Sequence, residues 1–404
     1  MKINIIGAGP SGLYFSILMK KSNPAHDITI YEQNRADDTF GFGVVFSDET
    51  LGNFHAADAP SHDEIIENFA YWSEIDTWFK GTMVRSDGHG FCGISRHVLL
   101  DILQRRAMEL GVTIKFMDRV NDVEALRDAD LVLGTDGVNS VVRELYKNEL
   151  GATVSFRPNK FSWMGSTAPM KAFTFIFEEN EHGPWIVHGY RFLGNKATWV
   201  METTEKAWLA AGLDKADEAQ SAAYLEKVFA KHLQGHKLLT NRSLWRNFPI
   251  VKCKTYVNGN VVILGDAAHT AHFSIGSGTK LAIEDAIELH RCFQTVGDNV
   301  PKALAMYDTE RRTGVEKIQH AAETSLVWFE NIDRGLKMDP VQFAFSMLTR
   351  SKQITYDNLK LRDASFVDKV DRWFAGTIKA KGFDIPQDNP PPPMFTPFRL
   401  RDMV

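Results

Sequence analysis

Residues 265 to 281 read GDAAHTAHFSIGSGTKL: an acid beside a glycine, two histidines, then a Gly-Ser-Gly turn. Four chemistries use these residue types: a metal site, a Ser/His nucleophile, a phosphate-cradling loop, or a plain turn. A second group opens the chain. In KINIIGAGPSGLYFSILMKK, Gly7, Gly9 and Gly12 stand at G-x-G-x-x-G spacing, with Ser11 among them. The first glycine permits a tight turn, the second lets the backbone approach a pyrophosphate, and the third allows close helix–strand packing. The phosphates then meet the free N–H groups at the helix start. Glu32, 20 residues beyond Gly12 and followed by Gln33, stands where an acid receives a ribose hydroxyl pair. An acid there disfavours a 2′-phosphate, so the expected tenant is FAD or NAD rather than NADP. A third group is Asp136-Gly137, with Ser140 and Arg143 at a helix start.

Each group needs elements to position it. An apolar β-rich run precedes the glycines and an amphipathic pattern follows them; DITIYE predicts the next strand. DADLVLGTDG and NVVILGD both predict a buried strand ending in an acidic turn, and a long helix follows the second. Residues 150 to 250 change texture. Their runs are aromatic, β-rich and bounded by Gly and Pro, which predicts an antiparallel sheet rich in Trp163, Trp185, Trp199 and Trp245. Most of these tryptophans are expected in the sheet core, with one or two at a ligand. Helical patterns dominate from about Val300, and DNPPPPMFTPFRLRDMV predicts an extended tail.

With 404 residues, 44% hydrophobic and 24% charged, the composition is that of a globular protein with ample core. A net charge of −5 gives no sign of a nucleic-acid partner or an anionic membrane surface. Three scattered cysteines make neither a disulfide framework nor a zinc cage. The start MKINIIGAGP leaves no room for a targeting peptide, and no apolar run nears the roughly 20 residues that span a bilayer. The expectation is a cytoplasmic protein without a bound metal.

The three motifs, in this order, resemble those of the flavin-dependent aromatic hydroxylases with the p-hydroxybenzoate hydroxylase fold. The resemblance implies an α/β (α+β) architecture: a Rossmann-like FAD-binding domain, an interleaved antiparallel-sheet substrate domain and a helical C-terminal region. Its expected parts are 1–150 with 250–300, 151–249, and 301–404. It further implies that Gly265 and Asp266 hold the ribityl chain, and that Asp136 serves both the flavin and NAD(P)H regions. Arg96, heading the pattern R-x-x-L-x-x-x-L, would lie near the pyrophosphate or ribityl, and Val120 would reach the adenine through its backbone. Gly276, Ser277 and Gly278 would begin a helix aimed at the flavin's pyrimidine edge, and the glycine-aromatic run Thr39 to Phe46 would form a loop near the isoalloxazine.

In that family NADH or NADPH visits transiently and reduces the flavin. Dioxygen then gives a C4a-hydroperoxide whose distal oxygen passes to an electron-rich ring. Here His272 and Phe273 stand where the wider family has prolines. That loop and WRNF at Trp245 to Phe248 resemble both a branch acting on tryptophan and the branch acting on aryl-CoA thioesters, while the tail LTRSKQITYDNLKLRDASF and the ending PPMFTPFRLRDM resemble the aryl-CoA branch most. The expected substrate is salicylyl-CoA, hydroxylated at position 5 to gentisyl-CoA; 2-aminobenzoyl-CoA or a free aromatic such as tryptophan or an indole is the alternative. In a two-domain member such an ending leads into a reductase half, expected to be absent or removed here. His272 is the candidate for withdrawing the phenolic proton or orienting the ring, and His269 is expected to be structural. Rivals are a halogenase, disfavoured because W-x-W-x-I-P is missing, and a flavin-binding regulatory protein. A homodimer is entertained as the assembly.

Overall fold

A computed structural model describes residues 1–39, 41–47 and 54–381. The proline-rich tail and Phe40 of the glycine-aromatic run lie outside the described residues.

The apolar runs read from the sequence assemble one twisted sheet of six strands. Its order is Val257–Asn258, Val261–Ile263, Leu131–Gly134, Lys2–Ile6, Asp27–Glu32, Thr113–Phe116. All neighbours run parallel except the first edge pair. Ile3, Ile5, Leu131, Leu133 and Val262 are fully buried, as parallel strands covered on both faces require. The covering helices include Pro10–Ser22, Arg96–Glu109 and Gly278–Val296, and the first of them packs on both others. Leu99 and Leu103 of the R-x-x-L-x-x-x-L pattern point into this core.

The aromatic segment forms a second, eight-stranded sheet. Thr153–Ser166, Lys196–Thr203, Gly183–Leu193 and Phe173–Asn180 pair antiparallel in that spatial order. Arg246–Lys252 pairs with the first of them, and Leu238–Leu239 lies beside it. The sheet also takes two strands from outside residues 151–249: Ile75–Phe79 joins Phe173–Asn180 in parallel, and Thr82–Ser86 follows. A small third sheet, Gly43–Ser47, Phe91–Ser95 and Ala70–Trp72, bridges the two large ones.

Alternation splits the large sheet into two faces. Trp185, Trp199, Met164 and Met201 face a cluster with Leu225 and Phe229 of the helical segment 205–233. Trp185 and Trp199 are therefore sheet core, as expected. On the other face Phe173, Phe175 and Phe177 pack on Phe329 and Phe343. Those two belong to the helices Val300–Glu330 and Pro340–Thr349, so the C-terminal region closes the opposite side. Trp163 is on this second face, its ring over Gly41. Among the described residues no helix is long and apolar enough to cross a membrane.

Candidate active site

The carboxyl ends of Lys2–Ile6, Leu131–Gly134 and Val261–Ile263 meet at one crease, the usual binding position of such sheets. Gly7 turns there with φ +98, and a Cβ on it would stand 2.5 Å from the Thr135 carbonyl oxygen. At Gly12 a Cβ would meet Thr135 Oγ1 at 2.4 Å. Thr135 Oγ1 donates to the Gly7 carbonyl at 2.7 Å, which ties the glycine turn to the strand that delivers Asp136. A Cβ on Gly265 would lie 3.1 Å from Ser11 Oγ, so the first and last motifs touch. Glu32 Oε2 accepts the Ala8 N–H at 2.8 Å, while Oε1 accepts both the backbone and side-chain N–H of Asn34. One lone pair of Oε2 remains for a ligand hydroxyl. Gly9 is half-buried beside the Thr135 carbonyl, Gln33 is exposed at the strand end, and Val120 packs against the parallel-sheet core.

Two acids line the crease. The Asp136 carboxylate accepts the Val141 N–H at 2.7 Å through Oδ2, while its Oδ1 is buried without a partner. Burial raises its pKa against the hydrogen bonds that oppose the rise. Asp266 reaches solvent yet is crowded by protein, as a group on the floor of a cleft must be. Burial raises it too, opposed by His269, Arg96 and Arg143. Arg96 begins its helix with its N–H on the Phe42 carbonyl at 2.9 Å, and the charge of Asp266 acts on its guanidinium. Burial lowers the Arg96 pKa.

The turn around Asp266 is rigid. His269 Nε2 meets Asp285 Oδ2 at 2.9 Å; the same oxygen accepts the Gly265 N–H at 2.7 Å, and Arg311 Nε donates to Oδ1 at 2.6 Å. Burial alone would raise the Asp285 pKa, but His269 and Arg311 hold it well below the usual carboxylate range. Arg143 adds bonds to the carbonyls of Val138, Asp266 and Ala267. Gly276 follows with φ +65, and a Cβ on it would stand 2.7 Å from Val45 Cγ1. Among the described residues the Ser277 hydroxyl beyond it is buried without a partner, and a Cβ on Gly278 would meet nothing within 4 Å. A 19-residue helix begins at Gly278. Unpartnered polar atoms at Asp136 and Ser277, a turn without Cβ at Gly7 and a carboxylate on the cleft floor together fit a long molecule rich in hydroxyls and phosphates, as FAD is.

The Gly41–Phe46 segment joins crease and sheet. Gly43 N–H donates to Thr198 Oγ1 at 2.9 Å, and the Tyr190 hydroxyl donates to the Gly43 carbonyl at 2.7 Å. Past it, between the second sheet face and the His272–Ile275 turn, is a slot too tight to admit a water molecule. Phe161, Phe248 and Phe273 wall it, Asn159, Glu202 and His272 give it a polar side, and the Arg157–Glu330 ion pair stands at one end. His272 is buried, its ring against Phe248 and Phe273. Its Nδ1 accepts the Ser274 N–H, which leaves the proton on Nε2. Burial pushes its pKa down to about 3. A chain of hydrogen bonds runs from His272 through the Ser274 and Ser325 hydroxyls to Arg350.

Most of the residues selected from sequence converge on the crease; His272 joins the slot, with Phe273 of the same loop and Phe248 of the WRNF run. Glu202, Asn159, Phe161 and Arg350 were not singled out. Glu202 carried one signal, a charge inside the apolar run ATWVMET, but its strand partners are unknowable without the fold. His55, His62 and Asp63 converge elsewhere, at the surface helix Ala59–Glu67.

A family model described as an FAD binding domain matches residues 89–322. The chain is 40% identical over 410 residues to salicyloyl-CoA 5-hydroxylase of a Streptomyces species, covering 99% of this chain and 77% of that one. It is 32% identical to 3-hydroxy-4-methyl-anthranilyl-(aryl-carrier protein) 5-monooxygenase of Streptosporangium sibiricum, covering 89% and 97%. The tetrameric form of 2-methyl-3-hydroxypyridine-5-carboxylic acid oxygenase shares the fold, with a TM-score of 0.66 at 16% identity over 89% of this chain and 97% of that one.

Proposed function

This chain belongs to the FAD-binding family of flavin-dependent aromatic-ring monooxygenases, and on that premise we propose that it hydroxylates an aromatic acyl-CoA, salicylyl-CoA to gentisyl-CoA. The observation that carries the reading is the slot's lining: Phe161, Phe248 and Phe273 offer apolar faces suited to an aromatic ring and Asn159, Glu202 and His272 a polar side suited to its hydroxyl, in a slot that must widen to take the ring. The likeness to the Streptomyces salicyloyl-CoA hydroxylase along the whole chain supports the choice of ring.

Bound FAD, once reduced by NADH or NADPH, supplies the activated oxygen. The chain's own residues bind, orient and exclude water. In this reading Gly7, Gly9, Ser11 and Gly12 leave backbone room for the pyrophosphate. Glu32 takes a ribose hydroxyl, with Gln33 and Val120 beside the adenine. Arg96 offsets phosphate charge, while Asp136, Gly265 and Asp266 take ribityl hydroxyls. Gly276, Ser277 and Gly278 present backbone and a helix start to the flavin's pyrimidine edge, where negative charge gathers on reduction. His272, neutral and with its proton on Nε2, orients the substrate. The same reading keeps 1–150 with 250–300 as the flavin unit, to which 75–86 adds a hairpin of the substrate sheet. It includes a cytoplasmic homodimer.

Consumption of NADH and NADPH by the flavin-loaded protein, followed with product analysis, tests it. Salicylyl-CoA is expected to accelerate consumption and yield gentisyl-CoA. Acceleration by tryptophan or free salicylate and not by either aryl-CoA would replace the thioester with a free aromatic. A response to 2-aminobenzoyl-CoA alone would change the ring.

A further inference from the structure

Burying a charge costs several kcal/mol unless it is well paired. Yet two ionisable groups, His188 and Glu202, stand on the sheet face beneath the slot, each about 1% exposed. They come from adjacent strands, Gly183–Leu193 and Lys196–Thr203, whose backbone ladder already joins them. Their surroundings are apolar: the His188 ring packs on Phe175, Phe273 and Phe329. His188 Nε2 lies 2.8 Å from Glu202 Oε2, and Asn159 Nδ2 donates to Oε1 at 2.8 Å. His188 Nδ1 is buried without a partner. Glu202, not His188, lines the slot, which is too tight to admit a water molecule until Phe161, Phe248 and Phe273 part to take a ring. Its carboxylate is thus fixed by two donors and keeps a lone pair on each oxygen. The charged and titratable groups facing it are His188, His272 and Arg350, with the Arg157–Glu330 pair farther along the slot.

We infer that Glu202, oriented by His188 and Asn159, accepts the proton of the substrate's ring hydroxyl as oxygen is delivered to the ring. The inference rests on the functional reading above. The O–H bond of the substrate breaks, its electron pair stays on the ring oxygen, and a new O–H bond forms on Glu202. The hydroxyl acidifies as the ring gives electrons to the incoming oxygen, so a carboxylate is a sufficient acceptor. When the attacked carbon releases its hydrogen as a proton, the ring becomes aromatic again and its first oxygen takes a proton back. Glu202 is then an acceptor and a donor within one turnover, and no further oxidant or reductant is consumed. His272 cannot accept at Nε2 while that atom holds the proton, so its part is to donate and position.

The test uses the flavin-loaded enzyme with salicylyl-CoA and NADH or NADPH. Glu202→Gln is expected to lower hydroxylation kcat about 100-fold, while FAD content and substrate Kd, read from the flavin difference spectrum, change less than about threefold. Less product forms per NAD(P)H consumed, and the rate recovers as pH rises towards the pKa of the free hydroxyl. Glu202→Asp restores part of the rate. His188→Gln, which keeps a donor towards Glu202, falls about tenfold and shifts the acid limb of the pH profile. If Glu202→Gln does not fold, the Asp and His188 variants carry the same test. Wild-type kcat, coupling and pH profile in these variants would overturn the inference, as would a loss confined to substrate Kd. Failure of the wild type itself to hydroxylate any aromatic would overturn the functional reading and this inference with it.

Discussion

The crease and the slot lie close together but are built by opposite means. The crease is backbone: glycines, helix starts and turn acids from three short segments, each complete within about a dozen residues. The slot is side chains: Asn159, Phe161, Glu202, Phe248 and His272 come from four separate segments, brought together by strand register and the last helices. Backbone chemistry is held in place by local conformation, so changes there should decide whether the cofactor binds. Side-chain chemistry depends on packing, so changes there should alter turnover while the cofactor stays.

The most severe test of this contrast is Gly12→Val. Its Cβ would sit 2.4 Å from Thr135 Oγ1 and 2.7 Å from the Gly7 carbonyl oxygen, inside the glycine turn proposed to receive the phosphates. We expect colourless protein with FAD affinity at least about 100-fold weaker, measured by absorbance and titration. Gly278→Ala, whose Cβ meets nothing in the protein, should fold normally, so any loss of flavin there reports the ligand's own space. Asp266→Ala removes an acceptor from the cleft floor. A fall in FAD affinity of about 10- to 100-fold is expected, and an unchanged value would remove Asp266 from the cofactor site. On the slot side, His272→Gln should retain flavin fully and lose about tenfold in kcat; loss of flavin instead would erase the distinction between the two regions.

The smallest effect is one of pH. Burial holds His272 near 3 and His89 near 4, well below an ordinary histidine at 6.5. The unfolded chain therefore binds protons below about pH 6.5 that the folded protein refuses. Their contribution to stability is complete above that pH and is lost as pH falls towards 4, at up to about 1.4 kcal/mol per pH unit for each. Tm should fall by several degrees between pH 7 and 5, and His272→Gln should flatten the decline in differential scanning fluorimetry. An equally steep decline in that variant would remove His272 from the cause.

The sequence revealed the crease almost whole. Gly7, Gly12, Glu32, Asp136 and Asp266 each follow a short apolar strand, and a strand, a turn and a helix start are read from local periodicity and turn chemistry. It also marked the aromatic sheet, but not that residues 75–86 join it, because a parallel pairing across some hundred residues leaves no local trace. His272 was visible only as a histidine beside a turn; its tautomer comes from the Ser274 N–H, a contact of the folded chain. Glu202 and His188 alternate into apolar strands and look like two isolated polar residues there. Register alone sets them side by side, and burial then makes the pair expensive unless it has work to do.

Local spacing, then, determined the crease at which the glycine turn and the two acidic turns meet, because glycine conformations and helix starts are properties of a few consecutive residues. Only the tertiary structure decided which charges are buried together at the slot, because that depends on how distant strands pair and on what excludes water from between them.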